Sequence, residues 1–164
     1  MEQQGFLIGF AQLALVLTGF VSIFVVFQID HNEKSRVNTH HAASILVGSL
    51  VAFIGALIPI ALYHFGLRGE ALWWWSSLCQ SLFGLIYFVA MLRMTFGLTW
   101  AQFKEAGILH MFFSYGTGLT GGCLLGWNIV TEATPGFYVV ALMLTLLAAL
   151  IGFIAFSVQK IFYW

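Results

Sequence analysis

The stretch "SYGTGLTGGCLLG", residues 114–126, decides how this chain is read. It sets Gly116, Gly118 and Gly121 in the order G-x-G-x-x-G, the letter pattern of a loop that cradles the pyrophosphate of a dinucleotide. Such a loop works because a strand enters a tight glycine turn and leaves as a helix whose N-terminus meets the phosphates. No β-like run with turn punctuation precedes Gly116, and the segment that follows, "GFYVVALMLTLL" at 136–147, carries no acid to hold a ribose. The pattern also lies within a long apolar run, where a charged ligand is costly to bury. The sequence argues against nucleotide binding.

A second spacing accounts for the same letters. Ser114, Gly118, Gly122 and Gly126 recur every four residues and form one small-residue stripe on a helix. Membrane helices pack through such stripes, because a missing side chain lets two backbones approach. A matching row, Ser44, Gly48, Ala52 and Ala56, lies earlier in the chain. One step back along each row stand His110 and His40.

Composition supports a membrane setting. Of 164 residues, 61% are hydrophobic and only 7% are charged, against about 25% charged in a soluble domain. Six basic and six acidic residues cancel, so nothing draws in a nucleic acid electrostatically. The opening "MEQQGFLIGF" has Glu2 as its only charge. It lacks the basic start of a cleaved signal and reads as a retained anchor. Cys79 and Cys123 are too few for a disulfide framework and read as small buried side chains.

About 20 apolar residues span the hydrocarbon as a helix. Five stretches reach that length, approximately 6–28, 42–65, 73–93, 107–129 and 136–159. They are apolar on all sides and too long for barrel strands, so an all-α, polytopic integral membrane bundle of about five helices is expected, as a single domain over 1–164. Lys34, Arg36, Arg93, Lys104 and Lys160 fall on one side and Arg68 alone on the other. The positive-inside rule then puts the N-terminus outside and the C-terminus in the cytoplasm. Trp73, Trp74, Trp75 and Trp127 would mark the outer interface, and Trp100, Tyr163 and Trp164 the inner one. Thr99 with Gln102 has capping-box spacing for a short helix. Pro135 suits a first helical turn, and Pro59 falls inside the second span, where it should bend that helix.

Several constellations carry possible chemistry. His40 and His110 at one end of parallel spans are candidate ligands for a haem b, with neighbouring glycines leaving room. The loop "DHNEKSRVNTHH" offers Asp30, His31, Glu33, His40 and His41, but in no established metal-ligand pattern, so a solvated loop is the expected reading. Ser77, Gln80, Ser81, Gly84 and Tyr87 share one face of the third span, and Gln12 and Ser22 add polar groups to the first. Such groups line a path or hold helices together. No acid or Lys lies deep in a span, as an ion-coupled carrier would want. No nucleophile–base–orienter set appears, so no enzyme is expected.

Three stretches resemble a family of small multi-pass bacterial inner-membrane proteins of unknown function. They are "AQLALVLTGFVSIFVVF", "SRVNTHHAASILVGSLVAFIGALIPIAL" (with Arg36 before the helix, Ser49-Leu50 within it and Pro59 near its end) and "GFYVVALMLTLLAALIGFIAF". The resemblance implies an inner-membrane location and carries no activity across. Gln12 stands where that family's pattern leads one to expect an acid.

The sequence thus leads to a multi-pass accessory or structural subunit with the bilayer as its partner. Small-residue packing would operate within the chain, between copies or with other membrane subunits. No cofactor, metal or nucleic acid is expected. A haem b electron carrier on His40 and His110 and a small oligomeric transporter are the alternatives. Reporter tags at the two termini should appear on opposite sides of the membrane, the N-terminal tag outside; tags on one side would overturn the odd number of crossings.

Overall fold

A backbone surrounded by lipid must pair its own amides, and a helix does so within one segment. The computed structural model describes the backbone of residues 2–30 and 36–162, and side chains within 2–23 and 36–157. Among these the chain is all-helical: α1 (Gln4–Asp30), α2 (Arg36–His64), α3 (Gly69–Phe96), α4 (Trp100–Glu105), α5 (Ile108–Val130) and α6 (Pro135–Phe162). α1, α2, α3 and α6 are long and apolar enough to cross a membrane. α5 has 23 residues but is diluted by Gly, Ser, Thr, His110 and Asn128, and does not join those four.

The expected boundaries move outward at most ends. The segment read as a solvated loop is helical from Arg36, so His40 and His41 lie in the first turns of α2. Of the other metal candidates, His31 and Glu33 lie outside the described residues, as do Lys34, Tyr163 and Trp164, and the side chains of Asp30 and Lys160 are not described. α2 continues through Pro59 to His64. It ends on Gly66 at φ +98°, with Gly66 N–H donating to Tyr63 O and Leu67 N–H to Leu62 O, both at 3.1 Å. That pair of bonds satisfies the last carbonyls only if the chain turns left-handed, which Gly66 permits. The Thr99–Gln102 capping box forms at the start of α4, and Gly107 at φ +88° breaks α4 from α5. α6 begins on Pro135.

α2 is the centre of the bundle, packed against α1, α3 and α6, while α5 rests on α6 and α3. Neighbouring long helices run in alternate directions, giving the bundle a tryptophan end and a histidine end. Side chains tie each pair: Thr18 and Ser49 hydroxyls at 2.8 Å, Tyr87 O–H to Ser44 O at 2.9 Å, and Tyr138 O–H to Gly55 O at 2.6 Å. Such bonds contribute about 0.6 kcal/mol each between membrane helices, so close packing must supply the rest. Gly55 shows how close: a Cβ there would stand 2.5 Å from Leu142 Cδ2 and 2.6 Å from Gln80 Oε1.

Two expectations are corrected. Trp73 is only 6% exposed and packs at 5.7 Å on Tyr138, inside the core, whereas Trp75 and Trp127 are exposed. A helix of consecutive tryptophans cannot face all of them outward. Cys123 is exposed and Cys79 half-buried, both as free thiols, because Cys123 falls on the open side of α5.

Adjacent glycines on α5 should respond oppositely. Gly121→Ala puts a Cβ 3.2 Å from Ala141 O on α6 and should lower stability. Gly122→Ala meets nothing within 4 Å and should leave stability unchanged or raise it by up to about 1 kcal/mol through helix propensity. Thermal unfolding in detergent distinguishes the two; equal losses would contradict this packing.

Candidate functional site

α3 and α5 are joined at both ends and apart in the middle. At the tryptophan end Trp74 Nε1–H donates to Ile129 O at 3.0 Å, and Asn128 Nδ2–H to Ser77 Oγ at 2.8 Å. Asn128 also receives Thr134 N–H at 2.9 Å and donates to Thr134 O at 3.1 Å, fixing the turn into α6. At the histidine end Tyr115 O–H donates to Met91 O at 3.1 Å, shares a bond with the Thr95 hydroxyl, and meets Phe88 edge-on. Between these pins stand Ser81 and Gly84 on α3 and Gly118 and Gly122 on α5, too short to bridge the gap.

The result is a groove of about 440 Å³, floored by Ser44 and Val51 of α2 and Thr145 and Ala148 of α6. Small-molecule sites occupy roughly 300–1,000 Å³. The groove follows α3 from Gln80 to Met91, about 16 Å at helical rise. Its walls are mostly apolar, and among the described residues no charged side chain lines it. Leu85, Leu119, Gly122 and Cys123 line it and are exposed, so it opens through the side of the bundle.

The two small-residue rows therefore have different surroundings. Ser44, Gly48, Ala52 and Ala56 of α2 are buried, and a Cβ on Gly48 would lie 3.1 Å from the Tyr87 hydroxyl and 3.4 Å from Ala149 Cβ. Ser114, Gly118, Gly122 and Gly126 of α5 all line the groove, and a Cβ on any of the three glycines meets nothing within 4 Å. The rows are not brought against each other: α2's meets α3 and α6, and α5's faces open space.

The histidines do converge. His40, His41 and His110 are all buried at one end of the groove. His41 and His110 rings lie 4.9 Å apart, and His41 meets His40 edge-on at 6.1 Å. His40 Nε2 bonds the Thr95 hydroxyl at 2.8 Å, and His110 Nδ1 faces Ser114 Oγ at 3.3 Å. Gly152 of α6 leaves the room: a Cβ there would stand 3.2 Å from Ser44 Oγ and 3.5 Å from His110 Cε1. His41 makes no hydrogen bond of normal geometry; the Ala106 backbone lies beside its ring, so at most one of its two nitrogens is satisfied. A haem between His40 and His110 would have to displace the Thr95 bond and the His41 contact. Among the described residues, no group of three or more His, Cys, Asp or Glu is arranged to hold a metal.

Of the polar face on the third span, Gln80, Ser81, Gly84 and Tyr87 line the groove, while Ser77 turns to Asn128. Gln12 and Ser22 lie on the exposed side of α1. Thr95, Tyr115 and Asn128 are site-forming residues that their sequence positions did not single out. Asn128 had the clearest signal, a buried amide inside the apolar run "GWNIV". The chain matches no family model, no curated protein and no solved structure.

Asn128→Ala removes three hydrogen bonds and one pin of the groove. It should cost about 1–2 kcal/mol, read as a lowered midpoint in denaturant titration; an unshifted midpoint would refute the pinning role.

Proposed function

We propose that the chain is a membrane-embedded, non-enzymatic binding protein that takes an elongated, uncharged, lipid-soluble molecule into the α3–α5 groove. In this reading five helices cross a bacterial inner membrane, α5 included, with the N-terminus outside and the C-terminus cytoplasmic. The histidine end then faces the cytoplasm. The observation that carries the reading is the open glycine row on α5 beside polar groups that lack partners. Gln80 Oε1, Ser81 Oγ and His40 Nδ1 are buried without hydrogen bonds, and all three residues line the groove. Buried polar atoms normally find partners, and a glycine row normally finds a neighbouring helix. A ligand with an apolar body and a few polar atoms supplies both. The absence of charge in the lining favours a neutral molecule, since a lone ion in hydrocarbon is costly.

One observation also favours association as an accessory subunit. Gly5, Gly9, Gln12, Val16 and Gly19 lie at heptad spacing on the exposed side of α1, and none of the three glycines has a neighbour within 4 Å of a Cβ. A small-residue helix face with an amide on it is suited to a second transmembrane helix. This surface is separate from the groove.

A fluorescent, uncharged long-chain probe should bind the purified full chain saturably. Gly122→Leu, which fills the groove from the lipid-facing side, should weaken binding at least tenfold while leaving the unfolding midpoint unchanged. Equal binding by the two proteins would refute the groove as the site.

A further inference from the structure

Most hydroxyl donors in the groove's lining are spent on the protein itself. Tyr87 O–H goes to Ser44 O, Ser44 O–H to His41 O at 3.0 Å, and Thr145 O–H to Ala141 O at 3.0 Å. Gln80 Nε2–H reaches Val51 O at 3.4 Å, and Tyr115 O–H is held by Met91 O and Thr95. What remains toward a guest is mainly hydroxyl lone pairs and an imidazole nitrogen. Ser81 O–H, a hydroxyl with no partner, and the second amide hydrogen of Gln80 are donors left over.

The imidazole nitrogen is on His40. Thr95 has one hydroxyl hydrogen and two acceptors for it besides His40, Met91 O at 3.0 Å in its own preceding turn and the Tyr115 oxygen. With that hydrogen spent on either of them, Thr95 Oγ1 accepts from His40, which selects the tautomer with the proton on Nε2, 2.8 Å away. The neutral ring then has Nδ1 as a bare acceptor. That atom is buried, unpartnered, and belongs to a side chain 3% exposed that lines the groove. Leaving such an acceptor empty is costly, and a ligand hydroxyl removes the cost.

Resting on the groove reading above, we infer that the site selects a hydrogen-bond donor. The ligand class is a long-chain alcohol, phenol or quinol whose hydroxyl donates to His40 at the histidine end and whose hydrocarbon lies along Gly118, Gly122 and Gly126. A ketone, ester or ether of the same shape brings only acceptors and leaves His40 unsatisfied. A protonated amine brings donors, but it meets no acid in the lining and three imidazoles at that end.

The test compares a long-chain alkylphenol with its methyl ether, by competition against the fluorescent probe on the full chain in nanodiscs. The phenol should bind about tenfold more tightly, the worth of one buried hydrogen bond. His40→Phe should bring the phenol down to the ether's affinity without moving the ether, and His40→Gln, which restores an acceptor, should recover part of the difference. The wild-type comparison stands even where a variant fails to fold. Equal affinity for phenol and ether, with both lost in Gly122→Leu, overturns donor selection and leaves the groove as a binding site. Saturable binding of neither compound overturns both readings, and a tighter ether overturns the assignment of His40 as acceptor.

Discussion

The arrangement of this protein depends on how closely α2 lets its neighbours come. Between helices in lipid, burying apolar surface gains little, because hydrocarbon surrounds the helices already. What remains is contact at short range and hydrogen bonds between segments. Both need small residues on one side of the contact. Gly48 admits the Tyr87 hydroxyl to Ser44 O, and Gly55 admits Tyr138 to its own carbonyl while Leu142 and Gln80 close over it. Larger side chains on that face would separate α3 and α6 from α2, and the pins at the two ends of the groove would lose their alignment. The groove is thus a consequence of tight packing elsewhere: α3 is held to α2, α5 to α6, and the gap falls between the two pairs.

Much of this is legible in the amino-acid sequence. Long apolar runs imply the helices, since no other single segment pairs every amide in lipid. Thr99 with Gln102 and the position of Pro135 mark helix starts correctly, because these depend on a few local atoms. The polar face of α3 is visible from its spacing. The α5 row is visible too, but its surroundings are not. Spacing says which residues share a face, and says nothing of whether a neighbour occupies it. Ser44–Ala56 and Ser114–Gly126 look alike in sequence, and one is filled and the other open. For the same reason three adjacent tryptophans read as one interface belt, although Trp73 turns inward to Tyr138. Thr95 and Tyr115 do not stand out in the sequence, and Asn128 shows only as an amide within an apolar run, because their meaning arises only across helices.

The histidine end combines three buried imidazoles in ring contact with one another. His41 is held by ring contacts with His40, His110 and Phe156 rather than by a full set of hydrogen bonds. An unpaired polar group in a low-dielectric setting is costly, whereas a fully bonded network rigidifies its surroundings. Gly152 and Ala106 bring backbone close to these rings, Gly152 beside His110 and Ala106 beside His41.

The rim formed by Leu85, Leu119, Gly122 and Cys123 lies on the flank of the bundle and not at either end. Under the proposed function, a guest would arrive there by diffusing in two dimensions without crossing water. Its effective concentration is then its mole fraction in the leaflet, set by partitioning and by how much lipid surrounds each chain. Occupancy would follow changes in membrane composition directly, and diluting the aqueous phase would leave it untouched.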